Sequence, residues 1–176
     1  NIKKILKKSI IADVRNYKKV FNEIKKSKAE IVFHLAAQPL VRQSYLYPKK
    51  TFDTNIVGTL NVLESVRKIK NVKTTILITS DKVYDVANNR IFKETDKLGG
   101  ADPYSASKVC CENLFSSYMS SFFKGNSKQR IATVRAGNVI GGGDFSVDRL
   151  IPDIYESAKK NKKVILRYPK SVRPWQ

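Results

Sequence analysis

The sequence predicts an α/β protein built on a doubly wound parallel sheet. Three observations carry that expectation. Short β-branched apolar runs alternate with longer stretches of helical period, and the connections between them are short. No internal repeat and no low-complexity linker interrupts the alternation. The run Thr74-Thr75-Ile76-Leu77-Ile78-Thr79 ends abruptly in Ser80-Asp81-Lys82, as expected of a strand buried on both faces whose carboxyl end meets solvent.

Taken in order, Ser9–Ala12 predicts a short strand, followed by Asp13 and Val14. Tyr17, Val20, Phe21 and Ile24 recur at i, i+3, i+4 and i+7, which predicts an amphipathic helix. Ile31–Ala37 predicts a second strand, buried by its unbroken apolarity and ended by Pro39. A helix from about Lys50 turns Phe52, Ile56, Leu63 and Val66 inward, and Thr75–Thr79 is the third strand. After a polar excursion through Asn88, Asn89 and Arg90, a helix opens at Asp102-Pro103. Asp102 can cap the free N–H groups, and Pro103 suits the first turn, where its missing donor is not needed. Gly125-Asn126-Ser127 ends that helix, and Ile131–Val134 is the fourth strand. Leu150, Ile154 and Ala158 predict a further helix, and Val164–Leu166 a last short strand.

The chemistry-bearing residues fall at two places in this scheme. Open parallel sheets bind ligands beyond the carboxyl ends of their strands, and Ser80, Asp81 and Lys82 stand at such an end. Tyr104 and Lys108 are four apart on the Asp102-Pro103 helix and share one face. A cation beside a phenol favours phenolate and lowers a pKa that starts near 10, so the pair can serve as a base, with Ser80 sharing the substrate proton. Alone, Tyr-x-x-x-Lys is as compatible with a packed tyrosine and a solvated lysine, and Ser80-Asp81 with a turn and helix cap.

Ser80 followed by Tyr104-Ser-Ala-Ser-Lys108 resembles the extended short-chain dehydrogenase/reductase family, and within it the CDP-glucose 4,6-dehydratases. The matching stretches are His34-Leu-Ala-Ala-Gln-Pro-Leu-Val-Arg42, Thr54-Asn-Ile-Val-Gly-Thr59, Thr79-Ser-Asp-Lys82, Leu98-Gly-Gly-Ala-Asp-Pro-Tyr-Ser105, Arg135-Ala-Gly-Asn-Val-Ile-Gly-Gly-Gly-Asp144 and Arg173-Pro-Trp-Gln176. They span nearly the whole chain in the family's order. The resemblance implies a Rossmann-like fold with NAD as cofactor, a nucleotide-sugar substrate, CDP-glucose, and a cytoplasmic homodimer that serves deoxysugar and O-antigen synthesis. It further implies that Asp13 and Val14 border the adenine and that Leu35, Ala36, Ala37, Gln38 and Thr54 line the dinucleotide. Ser80, Tyr104, Lys108 and Gly137 would lie near the nicotinamide end, and Asn138, Arg149 and Arg173 would meet the substrate. The implied reaction oxidises C4, eliminates water across C5–C6 and returns hydride to C6. Elimination needs an acid and a base beside Tyr104, and Asp81 and Lys82 are placed for both. Many related hexose dehydratases have Glu where Lys82 stands, which leaves open which of the two is the base.

The same resemblance sets expectations about extent. No strand followed by a Gly-x-Gly-x-x-Gly-type phosphate turn precedes Ser9, and the Gly141-Gly142-Gly143 loop follows the fourth strand rather than the first. The expectation is an internal fragment lacking the first βαβ unit and most of a substrate domain. Residues 1–148 would be a partial dinucleotide-binding domain and 149–176 the start of the substrate part. Alone, the fragment should bind cofactor poorly.

Composition narrows the alternatives. With 176 residues, 41% hydrophobic and 28% charged, the chain is long enough for one real core. No apolar run approaches the ~18 residues that cross a bilayer, and the start has no signal-peptide pattern. The adjacent Cys110 and Cys111 point in different directions on a helix and are poor candidates for pairing. We expect both reduced, with no metal site. His34, the only histidine, lies within an apolar strand and fits a packed core position. The net charge is +19, with ten basic and two acidic residues among the first 28 and seven basic, none acidic, from Lys159 to Arg173. Such a balance suits an anionic nucleotide sugar. It also suits a nucleic-acid binder on a dinucleotide-fold scaffold, although the lysines are scattered rather than interleaved with stacking aromatics. Other readings are another nucleotide-sugar enzyme of the same family, an epimerase or a GDP-mannose 4,6-dehydratase.

Overall fold

The computed structural model describes residues 4–85, 91–125, 128–166 and 168–176. Three parallel strands, β1 (Ile31–His34), β2 (Thr74–Ile78) and β3 (Arg130–Val134), lie in the order β1-β2-β3. The helices are α1 (Tyr17–Ser27), α2 (Val41–Leu46), α3 (Pro48–Phe52), α4 (Gly58–Lys68), α5 (Pro103–Tyr118) and α6 (Leu150–Lys159). The class read from the sequence, α/β with a parallel sheet, is the class observed.

Local signals account for the helix starts. The Asn16 side chain accepts from the Lys19 N–H and begins α1, and the left-handed Lys28 (φ 52°) ends it. Asp102 accepts from the Ser105 N–H and Pro103 takes the first position of α5. Between α3 and α4 one helical path runs through a π turn, Asp53–Val57.

Sheet register sets which residues face inward. Ile31, Thr74 and Arg130 are aligned, as are Val32, Thr75 and Ile131, then Phe33, Ile76 and Ala132, then His34, Leu77 and Thr133. Because the pleat has period two, His34, Thr75, Leu77 and Ile131 share the buried face. That face meets Val62, Leu63 and Val66 of α4 in a core that includes Ile69, Val72 and Phe123, with Val20, Phe21 and Ile24 of α1 packed against it. Leu63 is fully buried, which is worth about 1.5–3 kcal/mol relative to exposure. Among the described residues the helices cover this one face, and Ile31 and Phe33 remain more than half exposed on the other.

Four expectations need correction. Ser9–Ala12 forms no strand: no described residue pairs with it, and Ile11 is fully exposed. β1 is not buried on both faces, because among the described residues no helix covers the face that carries Ile31 and Phe33. Val164–Leu166 is exposed and unpaired rather than a strand. The helix expected from about Lys50 starts at Pro48 and is preceded by α2, which the Pro39 stop signal concealed. The polar excursion at Asn88–Arg90 and the pair Asn126-Ser127 lie outside the described residues.

Candidate active site

The site begins where β2 ends. Ser80 is extended and caps a single 3₁₀ turn, Asp81–Val83. Its Oγ donates to Asp81 Oδ1 (3.1 Å) and accepts from the Lys82 N–H (3.3 Å). Lys82 Nζ lies 3.5 Å from the same Oδ1. The Asp81 N–H donates to the Ala136 carbonyl at 3.0 Å, so the turn is pinned to the chain leaving β3. Asp81 and Lys82 are each 27% exposed, open to a ligand yet in contact with each other.

Helix α5 supplies the opposing groups. Helical spacing puts Tyr104, Lys108 and Glu112 on one face, and all three are buried. The Tyr104 hydroxyl lies near enough to the Ser80 side chain to feel it. Burial pushes the phenol above its ordinary value of 10, while the Ser80 hydroxyl and the Arg149 charge pull the other way. Lys108 Nζ donates to the Ile78 carbonyl at 3.0 Å, and burial pushes its pKa down. At Tyr104, burial outweighs the opposing pull of Ser80 and Arg149.

Asn55, which the sequence reading did not single out, joins the strand rim to α5. It is 1% exposed. Its Oδ1 accepts from the Gln38 N–H (2.7 Å), and its Nδ2 donates to the Gln38 carbonyl (3.2 Å) and to Ser107 Oγ (2.8 Å). One side chain thus satisfies both backbone groups of the residue that leaves β1 and reaches between Tyr104 and Lys108. The available signal was an amide at an inward-facing helical position, four residues after Thr51 and three before Gly58. Gln38 also donates to Thr51 Oγ1 at 2.8 Å.

The other candidates divide into three groups. Leu35 and Ala36 are exposed, Ala37 and Gln38 half-buried, and together they form the open end of β1 with Thr54 behind them in the π turn. Val14 packs against Gly58, and its carbonyl accepts from Asn61; Asp13 is gripped by Arg15, which holds its carboxyl well below the usual range, at about 2. Gly137 and Asn138 are covered by the returning chain: the Asn138 N–H donates to the Pro174 carbonyl and the Gln176 N–H to the Asn138 carbonyl. Asn138 Nδ2 is buried without a hydrogen-bond partner, and Arg149 Nε, which makes no hydrogen bond, lies 3.6 Å from Asp144 Oδ2. Arg173 is exposed and shares a surface hollow with Tyr168, Pro169, Lys170 and Ser171.

His34 is buried against Thr59 (3.1 Å) and held to a pKa of about 4, chiefly by desolvation and then by the Lys108 charge. Cys110 and Cys111 are free thiols. Among the described residues no cluster of His, Cys, Asp or Glu could hold a metal ion, and no helix is long and apolar enough to cross a membrane.

Comparison with known proteins follows the same lines. The model of the NAD dependent epimerase/dehydratase family matches residues 2–176. A CDP-glucose 4,6-dehydratase of Salmonella typhimurium is 50% identical over 97% of this chain and 49% of its own length. A dTDP-D-glucose 4,6-dehydratase of Dictyostelium discoideum is 33% identical over 81% of this chain and 34% of its own. The chain therefore spans at most about half the length of these curated relatives. A dTDP-glucose 4,6-dehydratase structure from Streptomyces venezuelae, with NAD and DAU bound, superposes with a TM-score of 0.81 over 93% of this chain and 48% of its own, at 21% identity. An epimerase structure from Methanothermobacter thermautotrophicus gives 0.83 over 95% and 49%, at 24% identity. At these identities the structures speak for the fold.

Proposed function

The chain belongs to the NAD dependent epimerase/dehydratase family, and from that premise we propose that the whole protein uses NAD to dehydrate CDP-glucose to CDP-4-keto-6-deoxyglucose. The observation that carries this reading is the meeting of Tyr104 with Ser80, Asp81 and Lys82 at one strand rim. A phenol, a hydroxyl, a carboxyl and an amine within mutual reach are the groups that an oxidation followed by an elimination requires.

The residues present fit a dinucleotide. The end of β1 offers an apolar shelf, Leu35 to Ala37, whose next backbone unit is fixed by Asn55. Leu35, Ala36, Ala37, Gln38 and Thr54 would hold it there, with Asp13 and Val14 at the adenine end and Ser80, Tyr104, Lys108 and Gly137 at the other. NAD bound in that position would accept hydride from C4 and return it to C6. The unpartnered amide of Asn138 and the guanidinium of Arg149 suit the oxygens of a nucleotide-sugar diphosphate. Arg173 would extend that contact toward the nucleotide.

As phenolate, Tyr104 takes the C4 hydroxyl proton and becomes the neutral phenol, with Ser80 sharing that proton between the two oxygens. The C4 ketone acidifies C5. Lys82 removes the C5 proton and Asp81 protonates the departing C6 hydroxyl. Their shared contact at Oδ1 lets either member reset the other once water has left. An epimerase needs no such acid–base pair for elimination, so the Asp81–Lys82 contact favours dehydration. The division of the chain at 148/149 belongs to this proposal. So do a homodimer, a cytoplasmic location and a role in deoxysugar supply for surface polysaccharide.

Incubation of the whole protein with CDP-glucose and its GDP, UDP and dTDP counterparts tests the substrate. The mechanism is tested by Lys82→Met. That variant is expected to retain C4 oxidation while losing solvent exchange of the C5 hydrogen, and normal turnover would remove Lys82 from the reaction.

A further inference from the structure

We infer that Glu112 and Arg135 are positioning residues, a buried ion pair that sets the distance between Tyr104 and the Ser80–Lys82 turn. The inference rests on the reaction proposed above for its kinetic consequence, but its geometry stands without it. Glu112 lies two turns beyond Tyr104 on the same face of α5 and is 3% exposed. Its carboxylate accepts four side-chain hydrogen bonds. Oε1 takes Thr79 Oγ1 at 2.5 Å and Arg135 Nε at 3.1 Å; Oε2 takes Thr133 Oγ1 at 3.1 Å and an Arg135 terminal nitrogen at 3.1 Å. All three donor residues come from strand ends. Thr79 immediately precedes Ser80, Thr133 belongs to β3, and Arg135 immediately precedes Ala136, whose carbonyl receives the Asp81 N–H. One carboxylate on the helix that carries Tyr104 therefore gathers the two strand ends between which the Ser80 turn hangs.

Arg135 holds the far side of the same turn. Its guanidinium lies over the Tyr84 ring, 4.9 Å from the centroid, and Tyr84 stacks in turn on Phe92 at 4.7 Å. A terminal nitrogen donates to the Glu94 carbonyl at 2.9 Å. The segment Ser80–Tyr84 is thus tied at its entry through Thr79 and at its exit through Tyr84, both to the Glu112–Arg135 fork. Neither charged group faces the open rim: the Arg135 side chain is 16% exposed and that of Glu112 3%. They act through Thr79 and Tyr84 rather than on a substrate.

A core that only needed filling would accept an apolar pair of similar volume, because replacing both members of a buried ion pair is often neutral for stability whereas removing one is not. That difference separates positioning from mere stability. In the whole protein, Glu112→Leu with Arg135→Met is expected to fold with a melting temperature near that of the parent, yet to lose roughly 10²-fold in kcat with KM for the nucleotide-glucose within about twofold, the size of effect an ångström-scale misplacement produces. A folded double variant with parental kcat would overturn the inference. Hydrogen exchange gives a readout independent of activity. In Glu112→Gln the amides of Asp81, Val83 and Tyr84 are expected to lose at least tenfold more protection than the β2–β3 ladder amides toward the other end of the strands, around Thr75, Ile76 and Ile131. Uniform loss across both sets would reduce the pair to a general stabiliser. If the parent turns over none of the nucleotide-glucoses, the proposed reaction falls while the exchange comparison still decides the positioning role.

Discussion

His34 makes the stability of this fold depend on pH in a defined window. It is buried at the end of β1, and its pKa is lowered from 6.5 to about 4, first by desolvation and second by the Lys108 ammonium. The folded state therefore keeps the imidazole neutral where the unfolded chain protonates it. Below pH 6.5 the unfolded state holds the extra proton, so stability falls as pH drops toward 4 and levels off beneath that. At about 1.4 kcal/mol per pKa unit the whole effect is about 3 kcal/mol, of which about 2 kcal/mol falls between pH 7 and pH 5. Carboxylates titrate mostly lower, and subtraction of a His34→Gln variant removes what they contribute. Urea unfolding of parent and variant at half-unit steps should show the two stability curves converging as pH falls from 7 to 5, by about 2 kcal/mol. An NMR titration of the His34 ring should remain flat through pH 6.5. Parallel curves, or a ring titrating near its ordinary value, would refute the burial argument.

Two further outcomes follow from packing. Asn55→Ala strips Gln38 of both backbone partners and Ser107 of one, and should lower unfolding stability by about 2–4 kcal/mol, measured by urea; a loss below about 0.5 kcal/mol would show that water replaces the amide. In Gly58→Ala the new Cβ would stand 2.7 Å from Val14 Cγ1. The clash of about 1–3 kcal/mol should exceed the roughly 1 kcal/mol gained in helix propensity, so the melting temperature falls. Adding Val14→Ala should recover the loss, and failure to do so would place the strain elsewhere.

Much of the site was legible because its signals are local. The cap Asp102, the helix-opening Pro103 and the four-residue step from Tyr104 to Lys108 define α5 without reference to anything distant. The β-branched run into Ser80 marks a strand and its polar end in the same way. What was not legible depends on neighbours far along the chain. The exposure of β1 follows from what covers its faces, not from the apolarity of Ile31 or Phe33. Helical spacing brings Lys108 near Tyr104, but it carries no information about the Ile78 carbonyl, to which the ammonium donates. The unpartnered donor of Asn138 emerges only when residues 174–176 return alongside residues 138–140.

The π turn at Asp53–Val57 carries a consequence for how this chain can vary. An added residue advances a helix by about 100°, and here that advance lets Asn55 look toward Gln38 and Ser107 while Leu63 and Val66 look into the core. A helix regularised by deleting one residue there would gain better backbone hydrogen bonding and still be the poorer version, because one of the two faces would have to turn away. The irregularity is a phase adjustment, and lineages that lose it should be found to have lost the amide clamp as well.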